Sequence, residues 1–481
     1  FHVYSTYLTK EISGTSYLKE QLAYGIPVGL TAMVYVINVN VDKYLVGLFF
    51  SSSVLSITLW TTETQPGRMA IQEDLIKRFT AKTGIEVKLV PQEEDELIEK
   101  SSAAFAANSL PDIIFNAACV NFCAWAYDEG ILDSDAATEI VNSLGVNTFS
   151  AKGVLAMSEV EPGVYASVPS GAWPNATYYR MSIYNDNGLA KPTSYANILA
   201  GAKALHNPPN KYGAIVPTDT AAGFMNQWME TFSIANGLHP VKSDGSINFD
   251  QKKTIEVLET YKALVGMSPE GIHHWKNGRD FYASDIVPLT FWASYLLDDI
   301  AGTRDNVPIM VNDDPQSLAL AQDTDVIVGM AGPSNPDGGT WVEVHNFAVT
   351  VDADTDDARA FIEYVMNEEY VTWLGMAPEG SFPIRPGPNA GSKIFIEEWG
   401  NLPIGVDRKV PINQIYSQEI IESLINGLSV GTRWGASEGQ LPLAAKLVNS
   451  GLMNRLMMEY INGDRTAEET VNMLNSEAAK L

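Results

Sequence analysis

Tryptophan is the side chain of this sequence best suited to hold a small polar ligand. An indole offers a flat apolar face to the C–H side of a sugar ring, while the ring's hydroxyls need paired donors and acceptors. Of ten tryptophans, Trp60 ends the first expected strand and Trp173 lies in PSGAWPNATYY. Trp292 ends the run PLTFW, Trp341 follows a Gly-rich stretch, and Trp434 sits in GTRWGAS. Polar candidates occupy similar places: Glu63 after the first strand, Asn116 after PDIIF, and Asn175, Tyr178 and Tyr179 just beyond Trp173. Arg385 stands in SFPIRPG and Arg433 beside Trp434. A guanidinium fork there suits vicinal hydroxyls or a ligand carboxylate. The competing reading is core packing for the tryptophans and a fold-bracing ion pair for the two arginines.

Other chemistry has less support. His273 and His274 are adjacent, so on a helix they point different ways, and with no ligand at metal spacing both are expected on the surface. Cys119 and Cys123 share a helix face at a spacing of four, which leaves separate thiols and a disulfide both open. No metal and no other cofactor is expected. HExxH and Walker motifs are missing from the sequence. Carboxylates are too numerous for a glycosidase pair to be excluded by counting.

Composition sets the outer bounds. The 481 residues are too many for one comfortable core, and 46% hydrophobic with 19% charged residues describes a globular chain. The 58 acidic residues against 31 Lys and Arg give a formal charge of −27, without a basic stripe, and this argues against nucleic acid as a partner. The segment 1–20 lacks the basic-then-apolar order of a cleavable signal peptide. Residues 21–41 carry no charge, and a second uncharged run starts at Tyr44. Each is long enough to cross a hydrocarbon core, although Pro27, Asn38, Asn40 and Ser51–Ser53 interrupt them. A membrane association through this N-terminal segment and a buried or partner-covered segment are both open readings.

The elements that must position the candidates begin near Ile57. ITLW reads as a strand, Ile71, Leu75 and Phe79 fall on one helix face up to Gly84, and Ile85, Val87 and Leu89 alternate as a strand does. A second helix over 97–107 leads to PDIIF. In open parallel sheets ligands collect beyond strand ends, so 60–65 and 116–118 should border one crevice. Further on, the pattern predicts a strand over 163–168, a flexible crossing through PSGAWPNATYY and a strand ending at Tyr184 and Asn185. Helices follow over 195–205, 224–236 and 254–266, with a short strand over 213–216. A helix and strand then lead to Trp292, a Gly- and Pro-rich crossing covers 329–339, and VHNFAVTV is a strand before a helix capped by Asp356 and Asp357.

ITLWTT with TGIEVKLV, then PDIIFNAA, then GVYASVPSGAWPNATYYRMSIYNDNGL, then HNFAVTVDADTDDARAFIEYVMNEEYVTWLGMAPEGSFPIRPG form an ordered series. Over about 57–481 it resembles the family 1 extracellular solute-binding proteins of ABC importers, relatives of maltose-binding protein. The resemblance implies a non-catalytic α/β protein of two lobes with three interlobe crossings, closing on its solute and meeting ABC permease subunits outside the cell or in the periplasm. Lobe one would take 57–172 and 345–378, lobe two 173–340 and 385–481, and 1–56 would be an atypical extension. The expected solute is a saccharide or polyol. Another polar solute, such as a sugar acid, amino-acid derivative or short peptide, and a glycoside-processing enzyme are the alternatives. Residues 24–51 weakly resemble a membrane segment of polysaccharide flippases.

Overall fold

Ile57 and Leu59 point one way and Thr58 and Trp60 the other, which gives β1 (Ser56–Thr61) its buried face. The computed structural model describes residues 55–116, 120–149, 152–221 and 223–481. After β1, α1 (Pro66–Thr83) opens on a proline, where a missing N–H costs nothing, and closes at Gly84 with φ 79°. β2 (Glu86–Pro91) returns parallel to β1, from Ser56 opposite Glu86 to Thr61 opposite Pro91. α2 (Leu97–Ala106) then carries the chain to β3 (Ile113–Asn116), parallel to β1 on its other side. This first unit is as the hydrophobic periodicity predicts.

The stretch PSGAWPNATYY is not a flexible crossing. It belongs to β4 (Val168–Arg180), a 13-residue strand buried along all but its last residue. The second half of β4 lies between β5 (Leu289–Ala293) and β6 (Thr324–Val328), antiparallel to both. Its first half pairs antiparallel with β7 (Val342–Val349), which pairs in turn with β3. One seven-stranded sheet results, in the order β2-β1-β3-β7-β4-β5 with β6 on the other side of β4. Pro174 falls where β4 exchanges β7 for β5, and Pro169 beside the register shift at His345 and Asn346. Neither interrupts a regular ladder, which is how a strand tolerates proline.

Each end of this sheet has its own aromatic core. Phe115 packs against Phe347 and Trp373 at one end, with Phe79 and Phe361 beyond them. At the other, Phe232 meets Trp228, Tyr261 and Phe291. Two cores on a shared sheet make this a mixed α/β, two-domain fold. The expected helices appear as Tyr195–Leu205, α3 (Gly223–Ala235), Gln251–Val265 and α4 (Trp275–Ala283).

Other expectations are corrected. Tyr184 lies in the helix Met181–Asp186, because Asp323 accepts from the Ser182 N–H at 2.8 Å and turns the chain as β4 ends. Residues 213–216 make only a bridge between Ile215 and Thr290. The Gly-rich run 329–339 is a hairpin of Met330–Gly332 and Asn335–Gly339 rather than a loose crossing. Asp354, not Asp356 or Asp357, caps the helix α5 (Thr355–Glu368). His273 is 3% exposed with Nε2 2.7 Å from Pro269 O, so it is a core histidine rather than a surface one. Cys123 is buried in a cluster with Ile114 and Phe122. Cys119, the readings of 1–54 and residues 117–118 of the expected crevice lie outside the described residues.

Candidate ligand-binding cleft

Parallel strands deliver their following loops to the same edge of a sheet. The loops after β1 and β2, Thr62–Gln65 and Glu93–Asp95, emerge side by side. They line a cavity of about 520 Å³ together with the start of α3, His274 and the first turn of α4, and the residues after β5. Three sequence candidates line it: Glu63, Trp173 and Trp292.

Its apolar part is aromatic. Trp292 stacks on Trp275 with ring centroids 4.9 Å apart and planes 16° apart, and Phe224 meets Trp292 edge-on at 6.5 Å. Trp173 is 4% exposed, between Tyr295 at 5.7 Å and Trp341 at 5.3 Å. Its Nε1 has no acceptor among the described residues.

Its polar part is built on the first turn of α1. Arg68 donates to Glu63 at 2.5 Å and to Glu379 at 3.3 Å, and its guanidinium carbon lies 5.6 Å from the Tyr295 ring centroid. Burial opposes the Arg68 charge, but Glu63, Tyr295 and Glu379 outweigh it and hold the pKa above the ordinary arginine value. Arg304 likewise bridges Asp298 and Asp299, each at 2.9 Å. Burial first, and Asp298 second, push the Asp299 carboxyl well up. The arrangement can stack a ring, accept from hydroxyls and donate through arginine. Among the described residues no group of three His, Cys, Asp or Glu side chains is placed to hold a metal ion.

The other sequence candidates do not line this cavity, and their burial explains why. Arg433 bridges Glu230 and Glu343 at 2.9 Å each, 4.5 Å from the Trp341 ring centroid, while Trp341 Nε1 donates to Glu230 at 2.9 Å. Trp434 Nε1 donates to Leu238 O at 3.0 Å. Arg385 is committed to Thr148 Oγ1 and to the Met366 and Leu144 carbonyls. Asn175 donates to Thr231 at 2.7 Å and Tyr178 to Ala293 O at 2.8 Å. Asn116 is 2% exposed and faces Asn346 across the sheet. Trp60 packs against the cluster around Ile114. Arg68, Tyr295, Trp275 and Glu93–Asp95 were not among the candidates. The strand-end argument that found Glu63 applies equally to the end of β2 and would have found the last of these.

A two-domain α/β fold with an aromatic and charged cleft beyond its strand ends is suited to hold a small polar molecule. The chain belongs to the bacterial extracellular solute-binding proteins, a family whose sequence profile matches residues 74–403. The protein "Putative ABC transporter periplasmic-binding protein YcjN" of Escherichia coli (strain K12) is 23% identical over 339 residues, covering 69% of this chain and 73% of its own. An ABC transporter solute-binding protein from Thermotoga lettingae TMO superposes with a TM-score of 0.67 at 14% identity, over 88% of this chain and 99% of its own. One from Agrobacterium radiobacter K84 does so with a TM-score of 0.64 at 15% identity, over 89% and 98%. At these identities the structural likeness is one of fold.

The family is one of extracellular binding proteins rather than enzymes, in agreement with the expectation of a non-catalytic chain. Two readings are withdrawn. The matches are to solute-binding proteins, so the flippase resemblance of 24–51 does not stand beside them. Membrane association through the N-terminal segment goes with it: no helix among the described residues is long and apolar enough to cross a membrane, and 1–54 lie outside them.

Proposed function

We propose that this protein captures a saccharide or polyol in the cleft and presents it to the permease subunits of an ABC importer. One observation carries the reading: the stacked Trp275 and Trp292 share a single cavity with the Glu63–Arg68 pair. Stacked indole with a charge-assisted donor and acceptor is the chemistry a polyhydroxylated ring needs. The Thermotoga lettingae protein is bound with α-D-tagatose and the Agrobacterium radiobacter protein with ribitol, which supports the same solute class here.

Lobe one comprises 57–172 and 345–378 and lobe two 173–340 and 385–481, joined by three passages of chain. Their adjacency supports this division. Ala172 and Phe382 exchange backbone hydrogen bonds of 3.2 and 2.9 Å, and Asn175 N–H donates to Trp341 O at 3.2 Å. Side-by-side passages act as a hinge, and a solute gripped from both lobes favours the closed form.

A thermal-shift screen across neutral sugars, polyols, sugar acids, amino-acid derivatives and short peptides, with calorimetry on each hit, tests this reading. Stability should rise with free saccharide or polyol above its Kd, without turnover. Stabilisation by peptides or amino acids alone would replace the solute class, and release of a glycoside product would replace the receptor with an enzyme.

A further inference from the structure

The charges around the cavity do not balance. Glu63, Glu93, Glu94 and Asp95 line it against Arg68, Lys276 and Arg304, while Asp299, its carboxyl pushed well up by burial and Asp298, adds no full negative charge. Both arginines are already spent, Arg68 on Glu63 and Glu379 and Arg304 on Asp298 and Asp299. His274 also lines the cavity, and burial lowers its pKa, so it adds no positive charge at neutral pH. Lys276 therefore stands alone against Glu93, Glu94 and Asp95, none of which makes an ion pair among the described residues.

We propose that the solute carries a protonated amine, as an amino sugar or amino polyol does, and that Glu93, Glu94 and Asp95 receive it in the cavity that holds the Trp275–Trp292 stack. The proposal rests on the saccharide reading of the cleft and narrows it. Three successive carboxylates beyond a strand end are ordinarily a solvated surface. These differ in being cavity walls, in company with two stacked indoles and with Trp173, a 96% buried side chain (4% exposed) whose Nε1 has no acceptor among the described residues. Solvent reaches Glu94, yet the enclosing cleft first, and then Asp95, Glu343 and Glu63, raise its pKa to about 8, so at pH 7 this carboxyl holds a proton that an incoming ligand cation displaces. A ligand cation relieves that crowding. No described trio of side chains is set to chelate a metal ion, so an extended organic cation suits the wall better than a divalent ion. A sugar acid meets the same wall with the wrong sign.

The test is calorimetry on the full chain at pH 7 with glucose, glucosamine, N-acetylglucosamine and glucuronate, and with chitobiose against its diacetylated form. Each free amine should bind roughly tenfold tighter than its acetylated counterpart, with glucuronate the weakest. The combined substitution Glu93→Gln, Glu94→Gln, Asp95→Asn should cut that ratio to roughly threefold or less, with the thermal midpoint showing that the variant is folded. Neutral sugars binding as tightly as amines, or a ratio untouched by the substitutions, overturns the amine and leaves the saccharide receptor standing. Binding of none of these compounds, with hits only among peptides or amino acids, overturns both.

Discussion

Trp275 lies flat against Trp292, with 4.9 Å between ring centroids and 16° between planes, although one opens α4 and the other lies in β5. The contact is fixed from both sides. Arg279, one helical turn after Trp275, sits 5.3 Å from its ring centroid, and Phe224 presses edge-on against Trp292. A platform already assembled before the ligand arrives spares the ordering cost of binding.

Trp292→Ala should weaken saccharide binding by roughly 1–3 kcal/mol, and Trp275→Ala by a similar amount. Because each ring positions the other, the double variant should lose less than the two single losses combined. Calorimetry on folded variants decides; unchanged affinity in both would remove the stack from the binding site.

Arg433→Met should cost about 3–5 kcal/mol of stability, because it strands two buried carboxylates, Glu230 and Glu343, rather than one pair. Glu343 is already raised by burial and held down by Arg433. Urea unfolding measures the loss. None of the three lines the cavity, so ligand affinity of the folded protein should hold. A large affinity loss at full stability would return Arg433 to the site.

Arg385→Ala should likewise destabilise, by about 3 kcal/mol, by leaving the Met366 and Leu144 carbonyls without their charged donor. Its guanidinium is fully buried, and burial lowers its pKa. Arg385→Lys should recover only part of the stability, since one ammonium cannot reproduce the fork. Full recovery with lysine would contradict the fork.

These buried arginines mark where the sequence stopped being legible. The β1–α1–β2 unit could be read because its apolar period is local: Ile71, Leu75 and Phe79 specify a helix without help from elsewhere. The strand β4 could not, because Pro169 and Pro174 look like breakers until β7 and β5 are known to divide it between them. Arg433 and Trp434 could not be decided between ligand contact and internal bracing, because the carboxylate that satisfies both is Glu230, 203 residues from Arg433. Within the cleft, Glu63, Trp173 and Trp292 could be found from strand positions. Arg68 could not, because its role depends on Glu379, 311 residues away.

Strand β7 should also carry a pH signature. His345 on β7 is 2% exposed, with Nε2 3.4 Å from Tyr295 Oη and Nδ1 3.2 Å from Ser381 Oγ. Burial lowers its pKa to about 4; Glu63 opposes the shift and Arg68 adds to it. An unfolded histidine titrates near 6.5. Between those values the unfolded chain takes up a proton that the folded chain refuses, so falling pH favours unfolding. The associated stability is present above about pH 6.5, drains away towards pH 4 and is flat below, for a total of about 3 kcal/mol. Glu379, raised to about 7 by burial and Asp298, contributes the opposite slope across part of this range. The informative quantity is therefore the difference between wild type and His345→Gln, followed by chemical denaturation from pH 7.5 to about pH 4. Wild type should lose stability relative to the variant as the pH falls; a constant difference would mean that His345 titrates alike in both states, against its burial between Tyr295 and Ser381.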